Sequence, residues 1–200
     1  APLDALVLCA GLVTDWYLAT EDGYETQFAV NHLSQFHLAE ALRPNLHAAG
    51  EARIVTISSG SHYNTRIRWE DIMLRQHYNP LAAYKQSKLC NVLFAAEWNR
   101  RNGDIATAVA VDPGLVCTEI GLKGTTGIVR AVWKWRMKSG VPAERPAACV
   151  AELLECPRTQ LHGRLYWKDC RPRMESRIAR NPETAARLWR LSERLCGYEQ

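Results

Sequence analysis

The sequence predicts one α/β domain, a parallel β-sheet covered by helices on both faces. Three observations carry this. Short apolar runs ("LDALVLCA", "ARIVTISS", "IATAVAVD") alternate with longer stretches of helical spacing. The runs are near-continuous rather than alternating, the mark of strands buried on both faces. A chain of 200 residues, 47% of them hydrophobic, suffices for one sizeable core.

Taken in order, Leu3 to Ala10 is a buried strand ending at Gly11. Glu21 to Leu46 is helical, with Phe28, Leu33, Phe36, Leu38 and Leu42 on helical spacing and Pro44 placed to kink or end it. "ARIVTISS" is a second buried strand running into a loop at Ser59-Gly60-Ser61. The polar stretch from His62 to Pro80 is irregular or locally helical. Leu81 to Arg101 is a helix stopped by Asn102-Gly103. "IATAVAVDPG" is a third strand and a turn. A basic aromatic stretch, "IVRAVWKWRMK", precedes a helix near Arg145 to Glu155, a short strand in "GRLYW", and an amphipathic helix from Pro182 to Cys196. No internal repeat or low-complexity linker divides residues 1–200.

Composition narrows the function classes. A net charge of +4 does not by itself call for an acidic partner. The seven cysteines form no CxxC pair and are odd in number, which points to a reducing, cytoplasmic setting. The six histidines form no HExxH and no Cys/His cluster, so no metal site is expected. No window approaches the ~20 apolar residues of a membrane span, and the first residues lack the basic start of a signal peptide. The chain opens on Ala1 and runs straight into an apolar strand, consistent with a protein whose beginning is missing.

Ligands of parallel α/β sheets sit beyond the carboxyl ends of the strands. That rule singles out Ala10-Gly11, Ser58-Ser59 and Asp112-Pro113-Gly114. The helix "AAYKQSKL" adds Tyr84 and Lys88, four residues apart and so on one face. A free phenol, with pKa ~10, is a poor base at neutral pH. A nearby ammonium favours phenolate, and such a phenol can give or take a proton as a carbonyl is reduced or an alcohol oxidised. A strand-end hydroxyl, Ser59 or its neighbour Ser58, could polarise the same substrate oxygen. Tyr and Lys at this spacing also occur on solvated helix faces. The signal is the combination and its order along the chain.

That order resembles the short-chain dehydrogenase/reductase family over nearly the whole chain. The matching pieces are "LVLCAG" at 6–11, "FAVNHLSQFHL" at 28–38, "RIVTISSGSH" at 53–62, "YKQSKL" at 84–89 and "VDPGLVCTEI" at 111–120. The interval from Ser59 to Tyr84 and the wording "HLSQFHL" and "SKLCNVLF" look most like the retinol-dehydrogenase-like branch. The resemblance implies a Rossmann-type, doubly wound parallel sheet and an NAD(P)-dependent oxidoreductase interconverting a carbonyl and an alcohol. It implies Tyr84 as general acid/base and Lys88 as the residue that lowers the phenol pKa and holds the nicotinamide ribose. Ser59 matches the substrate-orienting serine, and Asn31 the helix asparagine of a water-linked proton relay. Pro113, Gly114 and Thr118 match the segment lining the nicotinamide, and Ala10 and Gly11 the strand end beside the coenzyme. The branch leans towards NADP over NAD. Family members commonly pair through the helices matching 21–46 and 81–101, so a homo-oligomer is expected of the full-length protein.

Two departures stand out. Leu8 and Cys9 occupy positions where the family carries two asparagines before Ala-Gly. The glycine-rich turn that binds the pyrophosphate is absent from the sequence; "GLKGTTG" at 121–127 has the wrong spacing and follows a late strand. The expectation is therefore the C-terminal part of the fold, a truncated single domain over 1–200 that begins at the family's fourth strand and is inactive by itself. Leu122 to Met137, with Trp133 and Trp135, would wall a lipophilic substrate.

A reading from another class is a non-enzymatic binding module. From Arg164 to Arg194 there are nine Lys/Arg (Arg164, Lys168, Arg171, Arg173, Arg177, Arg180, Arg187, Arg190, Arg194) against four acids (Asp169, Glu175, Glu183, Glu193). Such a tail could meet nucleic acid or an anionic membrane. Mixed charge on a solvated helix face is the simpler account, and no nucleic-acid partner is expected.

Overall fold

The computed structural model describes residues 1–117 and 140–198. Thr118, the glycine series at 121–127 and the expected substrate wall at 122–137 lie outside the described residues.

Five strands form one sheet in the order β1 (Ala5–Leu8), β2 (Ala52–Ile57), β3 (Ala106–Asp112), β4 (Tyr166–Lys168) and β5 (Arg171–Arg173). The first four run parallel; β5 turns back antiparallel on β4. The polar β5 has no apolar signal, and sequence analysis missed it. It exists because Asp169 and Cys170 both take positive φ, 50° and 55°, closing a two-residue hairpin. Its proline, Pro172, sits on a sheet edge, where the missing N–H costs least.

The helix expected over 21–46 is two helices. Helical turns at Thr26–Phe28, Ala29–Leu33 and Ser34–Ala41 follow without a break as α1 (26–41), and α2 is Arg43–Ala49. Glu25 sets the start of α1: its carboxylate accepts from Gln27 N at 3.0 Å and Phe28 N at 2.7 Å. Leu42 leaves helical geometry, and Pro44 enters α2 in its first turn, where a missing N–H costs nothing.

Two later helices open on the same dipeptide. Asn79-Pro80 starts α3 (Pro80–Asn102) and Asn181-Pro182 starts α6 (Pro182–Leu195), with the asparagine side chains accepting from Ala82 N and Thr184 N. Between them lie α4 (Glu144–Glu155) and α5 (Arg158–Leu161). Gly103 ends α3, though not as a left-handed cap: its φ is −66°, and a Cβ there would collide with the Asn99 carbonyl. The requirement for glycine is close approach. Between β2 and α3 the chain is irregular, with two 3₁₀ turns, Gly60–Asn64 and Trp69–Asp71.

Each face of the sheet carries its own core. Leu6, Leu8, Ile54, Ala108 and Tyr166 face α1, α3 and α6. Val55, Val109, Val111 and Trp167 face Cys149 and Leu153 of α4 and Leu161 of α5. On this second face Val7, Val55 and Val109 lie in register across three strands. Val55 and Val109 are fully buried, whereas Val7 is 41% exposed on strand β1, which among the described residues pairs with β2 alone.

Helix α6 lies across α1 and α3. Trp189 packs edge-on against Phe36 at 4.9 Å and parallel to Phe94 at 6.0 Å, and Ser192 meets buried His32 at 2.8 Å. Tyr24 donates to the Leu195 carbonyl. Helix α6 thus covers His32 and Phe36 of α1 and Phe94 of α3, while Leu38 and Leu81 on the same two helices stay exposed.

Candidate active site

The site is built around α3. Tyr84 and Lys88 stand four positions apart, so both side chains leave the helix on one side, and the Lys88 ammonium lies 5.7 Å from the Tyr84 ring centroid. Lys88 is 3% exposed and donates to the Ile57 carbonyl at the carboxyl end of β2, at 2.9 Å. Burial pushes its pKa from 10.5 down to about 8, opposed by nearby Cys9. Asn91, one turn further on, donates to the same carbonyl at 3.1 Å.

Asn31 sits in α1 where the helix loosens into a π turn, Ala29–Leu33, a distortion frequent at functional sites. It is fully buried. Its Oδ1 accepts from Leu12 N at 2.8 Å; its Nδ2 donates to the Leu12 carbonyl and to the Ser87 hydroxyl, both at 3.0 Å. Ser87 in turn donates to the Tyr84 carbonyl. Asn31 therefore ties the loop after β1 to the turn of α3 that carries Tyr84.

The two candidate serines part company. Ser58 is buried, and its hydroxyl donates to the Lys88 carbonyl at 2.8 Å. Ser59 is partly exposed and caps the Gly60–Asn64 turn, which packs on α3. Its Oγ lies 3.0 Å from Ser61 Oγ and accepts from Ser61 N at 3.2 Å.

Ala10 and Gly11 follow β1, with the Ala10 carbonyl held by Gln35 Nε2 at 2.9 Å and Gln35 held by Thr56 at 2.7 Å. Pro113 and Gly114 form the turn after β3; Gly114 N donates to Asp112 at 2.9 Å, and Gly114 has a φ of +72° that favours glycine. All of these lie at the carboxyl ends of the strands, so the fold brings Ala10, Gly11, Asn31, Ser59, Tyr84, Lys88, Pro113 and Gly114 to one end of the sheet. Among the described residues no group of His, Cys, Asp and Glu is disposed to hold a metal.

Sequence analysis missed the residues that hold this set in place: Ser87, Asn91, Gln35, Thr56 and His62. The spacing carried a signal for two of them. Ser87 and Asn91 stand three and seven residues after Tyr84, on the face that Tyr84 and Lys88 share.

No protein-family model matches the chain. Mouse retinol dehydrogenase 12 is 37% identical over 205 residues, covering 98% of this chain and 62% of that protein. Human retinol dehydrogenase 13 is 34% identical, with 98% and 61% covered. The chain therefore spans about three fifths of the length of these relatives. Among solved structures, an uncharacterized protein from Mycobacterium paratuberculosis superposes with a TM-score of 0.70 at 30% identity, covering all of this chain and 69% of that one. With the motif order, the parallel sheet and these matches in agreement, the chain belongs to the short-chain dehydrogenase/reductase family and is similar to its retinol dehydrogenases.

Proposed function

We propose that these residues form the proton-handling half of an NAD(P)-dependent oxidoreductase that interconverts a carbonyl and an alcohol. One observation carries the reading. A buried ammonium, Lys88, stands beside the Tyr84 ring at the carboxyl ends of the strands, held to backbone and, among the described residues, paired with no carboxylate. A structural lysine gains little from such burial, which costs several kcal/mol per ion. A lysine that favours phenolate over phenol has a reason to be there.

Tyr84 gives a proton to the carbonyl oxygen in reduction and removes it in oxidation. Ser59 hydrogen-bonds the same oxygen; Ser58, turned onto the α3 backbone, is the weaker candidate. Asn31 fixes the loop after β1 and the Tyr84 turn, and supports the proton relay. The coenzyme, NADP in preference to NAD, supplies or accepts the hydride. The Lys88 ammonium has three N–H donors; one is on the Ile57 carbonyl, and the others would serve ribose hydroxyls. Ala10, Gly11, Pro113, Gly114 and Thr118 would flank the nicotinamide end.

These 200 residues contain no glycine-rich turn to cradle a pyrophosphate, and we read them as one incomplete Rossmann-type domain. A lipophilic substrate fits the similarity to retinol dehydrogenases. The seven cysteines, none of them in a disulfide, suit a reducing, cytoplasmic location. Among the described residues no helix is long and apolar enough to cross a membrane. Oligomerisation of the full-length protein would have to use surface that α6 leaves open.

The test is reduction of a lipophilic aldehyde by the full-length protein with NADPH and with NADH. Lys88→Met should weaken coenzyme binding and shift the basic limb of the pH–rate profile upward. If neither changes, Lys88 has no part in the chemistry.

A further inference from the structure

We propose that His62 is a positioning residue for Ser59: its ring holds the Ser59 carbonyl and fixes the turn from which the serine hydroxyl is presented. The proposal rests on the reading of Ser59 as the residue that orients the substrate oxygen.

His62 is fully buried, yet both ring nitrogens have partners. Nε2 lies 3.1 Å from the Ser176 backbone nitrogen, and Nδ1 lies 2.8 Å from the Ser59 carbonyl oxygen. A backbone N–H can only donate and a carbonyl can only accept. Nε2 is therefore the bare nitrogen and Nδ1 carries the proton, so the surroundings specify one tautomer. The Ser59 carbonyl receives a second bond from the same residue, the His62 backbone N–H at 3.2 Å.

The ring cannot easily swing away. Tyr63 lies against it at 4.1 Å between centroids and Tyr166 at 4.6 Å. Ser59 itself is extended, with φ −169° and ψ 154°, and its hydroxyl caps the turn through Ser61. The orientation of that hydroxyl thus depends on a turn whose first carbonyl is anchored by His62. Through Ser176 the same ring joins the turn to the segment leading into α6. The ring is enclosed by Tyr63, Tyr166 and the backbone of Ser59 and Ser176, so His62 acts through Ser59. Misplacing a group by about 1 Å can cost ~10²-fold in rate, which sets the scale of the expected effect.

The experiment separates the two ring contacts. In the full-length protein, His62→Asn keeps a donor at the Nδ1 position, facing Ser59. His62→Gln puts its amide at the Nε2 position, facing Ser176. Positioning of Ser59 predicts that His62→Gln lowers kcat by roughly 10–100-fold, with coenzyme affinity unchanged, and that His62→Asn restores most of it. The effect of His62→Gln should vanish when Ser59 is already alanine. The reverse ranking of the two variants, or an undiminished effect in Ser59→Ala, overturns the proposal in favour of a purely structural clamp. If Ser59→Ala alone leaves turnover intact, the active-site reading has failed and the proposal falls with it. Nitrogen-15 resonances of His62 in the 200-residue chain should show protonated Nδ1 and bare Nε2, and the opposite tautomer overturns the geometry independently of any activity.

Discussion

Replacing Lys88 by methionine should make the protein more stable. Burial lowers the ammonium pKa from 10.5 to about 8, and each unit is worth ~1.36 kcal/mol, so the folded state bears a cost of about 3 kcal/mol at neutral pH. Methionine has similar length and no charge. The Ile57 carbonyl would not be orphaned, because Asn91 still donates to it. Allowing for imperfect repacking, the gain should be about 1–3 kcal/mol, or ~2–4 °C in midpoint per kcal/mol for a chain of this size. The pH dependence identifies the cause. The folded pKa lies below the unfolded one, so between about pH 8 and 10.5 the unfolded chain binds more protons, and wild-type stability rises with pH across that window. Lys88→Met lacks the group and does not follow, so its advantage is full below pH 8 and disappears towards pH 10.5. Urea unfolding of the 200-residue chain at pH 7, 8.5 and 10 measures this. A variant less stable than wild type at pH 7, or an advantage that ignores pH, would refute the argument that this lysine is held against its solvation cost.

Other outcomes follow from the same geometry. Ser58→Ala should cost about 1 kcal/mol of stability through its lost buried hydrogen bond and little turnover, while Ser59→Ala should lower turnover far more; the reversed ranking in turnover moves the site by one residue. His32 is buried with its pKa pushed down to about 3, so stability should fall as pH drops from 6.5 towards 3, by up to about 4–5 kcal/mol. His32→Gln should flatten that loss in urea titrations at pH 7, 5 and 4, and parallel losses would exclude His32 as the cause. Asn31→Ala should lower stability by a few kcal/mol, because it strips three hydrogen bonds from a fully buried side chain; hydrogen exchange at Leu12 N should then quicken, and unchanged protection there would mean the loop is held by other contacts.

What could be read from the sequence was what depends on local pattern. The three long strands are continuous apolar runs, and α3 and α6 begin at Asn-Pro dipeptides whose capping chemistry is local. The Tyr84–Lys88 pair is a property of helical spacing. The break at Leu42 was only half legible: Pro44 signalled it, but apolar periodicity ran on through both helices. Strand β5 was invisible because Arg171–Arg173 is polar and its turn uses Asp-Cys where Asn-Gly would be the usual signal. The partners of Ser58, Asn31 and His62 come from segments as far away as residue 176, and no spacing rule spans that distance.

The central claim is that Tyr84 handles the proton. Its most direct test is hydride transfer from NADPH to a lipophilic aldehyde by the full-length protein, comparing wild type with Tyr84→Phe while coenzyme affinity is measured alongside. The account predicts a turnover loss of ~10²–10⁴-fold with coenzyme affinity and fold retained. Turnover of Tyr84→Phe within a factor of about two of wild type would contradict it.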